Sequence, residues 1–168
     1  MPIPEVTQPE ILPISSTLRL RRFGDFFDFA FDWYQDIETV WLVDGVRVPY
    51  TREKLERMYR WLDTHGELYF IETLENGTFK PIGDVCFWQE DMPIVIGDRH
   101  YRGKGIGKKV VSALIQRGRA LEYPRIYVRE IYNYNTASRK CFESAGFRIC
   151  ESTEEGYRLV MDLQGECI

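Results

Sequence analysis

Tyr101-Arg102-Gly103-Lys104-Gly105-Ile106-Gly107-Lys108-Lys109 stands where a short apolar strand hands over to an amphipathic helix. Three alternating glycines let backbone N–H groups converge on one point. The helix start adds roughly half a positive charge at the same place. Arg102, Lys104, Lys108 and Lys109 crowd this end, although each cation near a helix N-terminus costs about 0.3–1 kcal/mol. A bound anion makes sense of that crowding, and a pyrophosphate fits best. The other reading is a solvated basic turn whose glycines serve geometry alone. Two common phosphate motifs fail. A P-loop needs Ser or Thr after its Lys, and Lys109 follows Lys108; a Rossmann turn would need its third glycine at Lys108. The spacing present is Arg-x-x-Gly-x-Gly, at Arg102, Gly105 and Gly107.

Working outward, the helix carries an apolar stripe at Ile106, Val110, Leu114, Gly118 and Leu121 and stops at Pro124. Ile126–Ile131 reads as a strand, and 135–145 as a helix closed by Gly146. Tyr157, Leu159, Met161 and Leu163 alternate as a last strand. On the other side, Met92–Gly97 is a short buried strand. Ahead of it lie strands at Leu68–Leu74 and Ile82–Trp88, joined through an Asn76-Gly77 hairpin signal. Thr51 caps a helix with Leu55, Met58, Tyr59 and Leu62 on one face, ended by His65-Gly66. Residues 35–50 read as an irregular connection, and Phe26–Tyr34 as a helix capped by Asp25. Leu18 to Phe23 alternates as a strand, and residues 1–16, with half of the prolines, form an extended lead-in. Eight of the 24 aromatic residues fall in 23–41, as core or as the lining of an acceptor groove.

The order is β-α-α-β-β-β-α-β-α-β-β. Strand–helix–strand units imply right-handed crossovers and the hairpin implies antiparallel pairing. The expected architecture is an α/β (α+β) fold, a central mixed β-sheet with helices on both faces. One domain spans 17–168.

A second motif joins the first: Asn135-Thr136-Ala137-Ser138-Arg139-Lys140-Cys141-Phe142-Glu143-Ser144-Ala145-Gly146-Phe147, 33 residues after Arg102. Together the two resemble the GNAT acyltransferase superfamily, with its Gln/Arg-x-x-Gly-x-Gly/Ala turn and its later N-x-x-[SA]-x-x-x-[YF]-E-x-x-G-F segment. In layout the chain is most similar to ribosomal-protein alanine and related amine N-acetyltransferases. The start (LRLRRFGD) and PIGD at Pro81–Asp84 resemble that subgroup less specifically.

The resemblance implies a GNAT-like fold, acetyl-CoA as cosubstrate and an amine as acceptor. It places the pantetheine arm on the strand ending at Val95, Ile96 and Gly97, slotted between Met92–Gly97 and Ile126–Ile131. The pyrophosphate falls on Arg102, Gly103, Lys104, Gly105, Ile106, Gly107 and Lys108, and further cofactor contacts on Asn135 and Ser138. It also places a general base at Glu130, five residues before Asn135. Glu130 can equally be a solvent-facing strand-end carboxylate, and Glu72, Asp84, Glu90, Asp91 and Asp98 are rivals. A base helps in proportion to the acceptor's basicity: deprotonating a lysine-type amine at pH 7 costs about 4.6 kcal/mol, an α-amino group about 1.4 kcal/mol.

One position departs from the family. Its usual acid is a Tyr seven residues after the Asn, and this chain has Phe142. A thiol with pKa near 8.5 leaves as thiolate without an obligatory acid, so acyl transfer survives the change; Tyr132 and Tyr134 are substitutes nearby in sequence. The departure also admits another class of function, a non-catalytic acyl-CoA sensor. Acceptors open at this point are a protein N-terminus, a polyamine, an antibiotic or an amino acid.

Composition narrows the rest. The 168 residues carry 22 Lys and Arg against 26 Asp and Glu, a net charge of −4, which argues against nucleic acid as partner. No apolar run reaches a membrane span and no signal-peptide pattern opens the sequence. Cys86, Cys141, Cys150 and Cys167 lack metal or CxxC spacing, so reduced thiols, no metal and a cytoplasmic setting are expected. No His neighbours a Cys, so a covalent acyl-cysteine route has little support. His65 and His100 read as surface residues.

Overall fold

The computed structural model describes residues 2–164. Its elements run β1 (Ile11–Pro13), β2 (Leu18–Arg22), α1 (Ile37–Asp44), α2 (Arg52–His65), β3 (Glu67–Glu75), β4 (Thr78–Phe87), β5 (Ile94–Ile96), α3 (Ile106–Ala120), β6 (Arg125–Tyr132), α4 (Thr136–Ala145), β7 (Arg148–Ser152) and β8 (Gly156–Asp162). Hydrogen bonding divides the strands into a five-stranded sheet, β1-β2-β3-β4-β5, and a three-stranded sheet, β6-β8-β7. The described residues form two compact units, 2–86 with 94–104, and 87–93 with 105–164.

In the first unit the Asn76-Gly77 turn forms as expected, both residues at positive φ (51° and 78°). Gly83 lets β5 close on β4: a Cβ there would lie 2.1 Å from the Val95 carbonyl oxygen. Thr51 caps α2 by accepting the Lys54 N–H at 3.1 Å, and Leu55 and Tyr59 of its apolar stripe are buried. Aromatic rings fill the space between. Phe23 lies within 6 Å of Phe27, Tyr59 and Phe70, and Phe29 meets Phe70 edge-on at 4.8 Å. Phe23, Trp33 and Tyr34 are therefore core, whereas Phe26 is exposed.

Three expectations change here. The helix read over 26–34 is two short 3-10 turns, Asp28–Ala30 and Asp32–Gln35. The α-helix lies instead in the stretch read as irregular: Asp36 caps it through the Glu38 N–H, and Gly45, at φ 71°, ends it. The proline-rich lead-in contains a strand, β1, paired antiparallel with β2, and Pro13 sits on the sheet's edge strand, where a missing N–H is tolerated.

In the second unit α3 packs on β6. A Cβ at Gly118 would come within 2.9 Å of Leu163 and 3.3 Å of Ile126. The segment between β4 and β5 runs alongside β6: the Tyr127 N–H donates to the Gln89 carbonyl at 2.9 Å, and the Arg129 N–H to Asp91 Oδ1 at 3.0 Å. Residue numbers rise together on both sides, so this contact is parallel, while the pairs of β6 and β7 with β8 are antiparallel. That contact apart, the pairs of β1 with β2, β2 with β3 and β4 with β5 are antiparallel too, and the ladders fall into two sheets rather than one.

Candidate functional site

Gly105 is the N-cap of α3, held at φ 77°, and no side chain caps the helix. A Cβ at Gly105 would meet nothing within 4 Å. The first backbone bond of the helix runs from the Lys109 N–H to the Gly105 carbonyl at 3.2 Å, so the Ile106, Gly107 and Lys108 N–H groups open outward. Lys108 and Lys109 are exposed around them. Free N–H groups, two cations and open space over a glycine fit a phosphate anion.

α4 borders this helix end. A Cβ on Gly107 would approach Cys141 Sγ to 3.2 Å. Burial pushes the Cys141 thiol up, against the pull of Lys108, so it is no ready nucleophile. Asn135 caps α4 by accepting the Ser138 N–H at 3.2 Å; Asn135 and Ser138 are both half-buried.

Within the first unit, Arg102 is engaged elsewhere than its motif suggests. Its guanidinium donates to the Ile96 carbonyl (2.8 Å) and to Thr39 Oγ1 (2.7 Å), and lies 3.6 Å from Asp36. The side chain therefore ties β5 to the start of α1, through partners more than sixty residues away in the case of Thr39 and Asp36. Partial burial raises the Asp36 carboxyl, but hydrogen bonds from Arg99 and Thr39 outweigh it and hold the group below the usual range. Gly97 also has a packing reason, since a Cβ there would fall 2.2 Å from the Trp33 ring. Val95 and Ile96 are half-buried on the last strand of their sheet. Gly103, at φ 71°, and Lys104 are exposed, and the Lys104 ammonium rests 5.6 Å from the Tyr101 ring centroid.

Glu130 lies on β6 at a register shift between Val128 and Ile131. It is exposed, and its Oε2 accepts the Thr153 hydroxyl. Phe142 is 1% exposed and meets Phe147 edge-on at 5.3 Å; the position that would carry an acid is core. Tyr132 and Tyr134 stack at 5.3 Å.

The rival carboxylates separate by environment. Glu72 is clamped by Arg19 and Arg21, each at 2.8 Å. Asp98 caps the short turn Arg99–Tyr101 through the His100 N–H and pairs with Lys80 at 3.3 Å. Glu90 is exposed beside Arg158. Asp91 accepts the Met92 and Arg129 N–H groups; burial raises its carboxyl while these bonds pull back. Asp84 is 4% exposed, and Tyr34 (2.7 Å) and Tyr59 (2.8 Å) both donate to its Oδ2. Burial pushes its carboxyl up to about 6, against the two phenol bonds, and burial followed by the Asp84 charge pushes both phenols well above their usual range.

This shift has a sign. The folded protein holds a proton on Asp84 that the unfolded chain, near 3.9, has already released, so the group's contribution falls as pH rises from about 4 to about 6. Asp84→Asn removes that slope. Denaturant titrations of the two proteins are expected to coincide near pH 4 and to diverge by pH 7, the variant being more stable by up to about 3 kcal/mol. Parallel curves would show that the burial cost is not being carried there.

Among the described residues Cys86, Cys141 and Cys150 form no disulfide; Cys167 lies outside them. His65 and His100 are exposed. Among the described residues no group of three or more His, Cys, Asp or Glu is placed to hold a metal ion, and no helix is long and apolar enough to cross a membrane.

The family model described as acetyltransferase (GNAT) family matches residues 27–147, well over half of the chain. The chain belongs to the GNAT acetyltransferase family. It is thus an acetyl-CoA-dependent N-acetyltransferase by family, as its two motifs implied. Solved structures similar to this GNAT include a domain from Methanocaldococcus jannaschii (22% identity, 88% of this chain and 99% of that one, TM-score 0.75). An acetyltransferase (GNAT family) from Bacillus anthracis matches at 14% identity, 92% and 99% coverage and TM-score 0.76. The spermidine N-acetyltransferase of Vibrio cholerae, in complex with CoA and spermine, matches at 17% identity, 89% and 97% coverage and TM-score 0.68. At these identities the likeness is one of fold. No curated protein matches the chain.

Two features of this GNAT had no signal in the sequence. The Arg102 tether depends on the placement of α1, and the Thr153 contact to Glu130 depends on the register shift in β6. Neither follows from local spacing.

Proposed function

We propose that this GNAT transfers the acetyl group directly from acetyl-CoA to a primary amine, of a small molecule or of a protein N-terminus, in the cytoplasm. The observation that carries the reading is the uncapped start of α3. Backbone N–H groups of Ile106, Gly107 and Lys108 would take the pyrophosphate, with Lys104, Lys108 and Lys109 adding charge. Arg102 would contribute through its backbone, since its guanidinium is committed to Ile96 and Thr39. Val95, Ile96 and Gly97 would line the pantetheine arm, and Asn135 and Ser138 would contact the cofactor from the start of α4.

Glu130 accepts the proton of the acceptor amine, directly or through one water. The neutral nitrogen attacks the thioester carbonyl, a C–N bond replaces C–S, and the CoA thiolate leaves and takes a proton from solvent. Burial of Phe142 supports departure without a protein acid. A spermidine N-acetyltransferase of the same fold supports an amine acceptor.

The test is acetyl-CoA with a panel of α-amines, polyamines and amino sugars, read as free thiol. Amine-dependent thiol release is expected. Tight acetyl-CoA binding with no release for any amine would favour a sensor and overturn the reading.

A further expectation concerns charge. Acetyl-CoA affinity should fall as salt rises, because the Debye length shrinks from about 10 Å at 0.1 M to 3 Å at 1 M and screens the exposed lysines. Calorimetry at the two ionic strengths measures it; an unchanged affinity would remove the lysines from the site.

A further inference from the structure

Glu130 stands on an irregularity of β6 that is secured from both sides. Val128 pairs with Leu159, and the next partners are Ile131 and Tyr157: three steps on β6 match two on β8, which defines a bulge. Arg129 and Glu130, successive residues, are consequently both exposed. The Arg129 N–H goes to Asp91 Oδ1, which also accepts the Met92 N–H. The bulge therefore has a fixed geometry rather than a loose one.

The turn between β7 and β8 closes on the same place. The Thr153 N–H donates to the Gly156 carbonyl at 2.9 Å, and the Asn133 N–H to the Glu155 carbonyl at 3.0 Å. Gly156 is buried against β6, where a Cβ would fall 1.9 Å from the Ile131 carbonyl oxygen. The Gly156 N–H donates to Thr153 Oγ1 at 2.9 Å. With an acceptor lone pair of Thr153 committed to the backbone, its single proton is directed onto Glu130 Oε2. Its β-branch restricts the rotamer as well.

We infer that Thr153 is a positioning residue: anchored by Gly156, its hydroxyl holds one oxygen of Glu130 and so sets the direction in which the other is presented to the acceptor amine. This rests on the proposed role of Glu130. Displacing a general base by about 1 Å can cost on the order of 10²-fold in rate.

The test measures kcat, the amine KM and acetyl-CoA affinity for Thr153→Val, Thr153→Ser, Glu130→Gln and the Val/Gln double variant. Thr153→Val is expected to lower kcat about 10- to 100-fold with acetyl-CoA affinity unchanged, and Thr153→Ser to restore most of the rate. The double variant should turn over like Glu130→Gln alone, because positioning has no value once the base is gone. If Thr153→Val unfolds, Thr153→Ala removes the same donor with a smaller side chain and no added charge, and the same loss of kcat is expected. A slow Glu130→Gln beside a Thr153 variant of native rate overturns the positioning role alone, as do additive losses in the double variant. A Glu130→Gln of native rate overturns the base assignment, and this inference with it.

Discussion

Glu130→Gln is expected to leave acetyl-CoA affinity intact and to lower turnover about 10²- to 10⁴-fold at neutral pH. Gln keeps the shape of the side chain and an oxygen for the Thr153 hydroxyl, so the turn on β6 is undisturbed. What it cannot do is take a proton. The size of the loss depends on the acceptor: an amine of pKa near 10.4 is almost wholly protonated at pH 7, one near 8 only about ten to one. The defect should therefore be larger for polyamine or lysine-type acceptors than for α-amines. It should shrink as pH rises and the acceptor arrives neutral. Calorimetry and a thiol-release assay from pH 7 to 9 read both quantities. Native turnover at pH 7 would pass the assignment to Asp84, buried in the first unit with a carboxyl near 6, or to bulk water.

The second large effect is expected from Gly105→Asp, and it falls on ligand affinity far more than on stability. Asp tolerates the left-handed backbone that Gly105 adopts at φ 77° better than most residues. A carboxylate at a helix start is also favourable by about 0.3–1 kcal/mol. The strain of a side chain at that φ and the gain from the dipole nearly offset, so the melting temperature should fall only slightly. The same carboxylate occupies the open space over the glycine and repels phosphate oxygens. At about 4 Å that repulsion is worth about 1–4 kcal/mol, or roughly a 5- to 1000-fold loss of acetyl-CoA affinity. A stable variant that binds acetyl-CoA normally would place the pyrophosphate elsewhere.

Much of this architecture is legible because local signals agree with it. Thr51, the Asn76-Gly77 turn and Gly146 are punctuation whose chemistry acts over a few residues, and all three lie where they were read. The Arg-x-x-Gly-x-Gly spacing is equally local, and the family was readable from it together with the Asn135 segment. The misreadings come from competition. Phe26, Phe29, Ala30 and Trp33 fall at helical spacing, yet packing of Phe29 and Trp33 around Phe70 is met by two 3-10 turns. α1 is hidden in the sequence because Ile37, Thr39, Val40 and Val43 are β-branched and weak helix formers; its cap at Asp36 and the Arg102 tether decide the matter. Local spacing points Arg102 and Gly97 only toward a cofactor, because their partners Thr39 and Trp33 are distant in sequence. β1 was hidden by its prolines.

The uncapped start of α3 has a consequence for the protein between catalytic events. A helix that lacks a cap of its own is completed by whatever anion arrives, so the folded state is linked to the concentration of that anion. A ligand present at a hundred times its dissociation constant deepens the folded well by about 2.7 kcal/mol. Resistance to heat and proteolysis would then track the supply of acetyl-CoA, and a cell short of the acetyl donor would hold a less durable enzyme as well as an idle one.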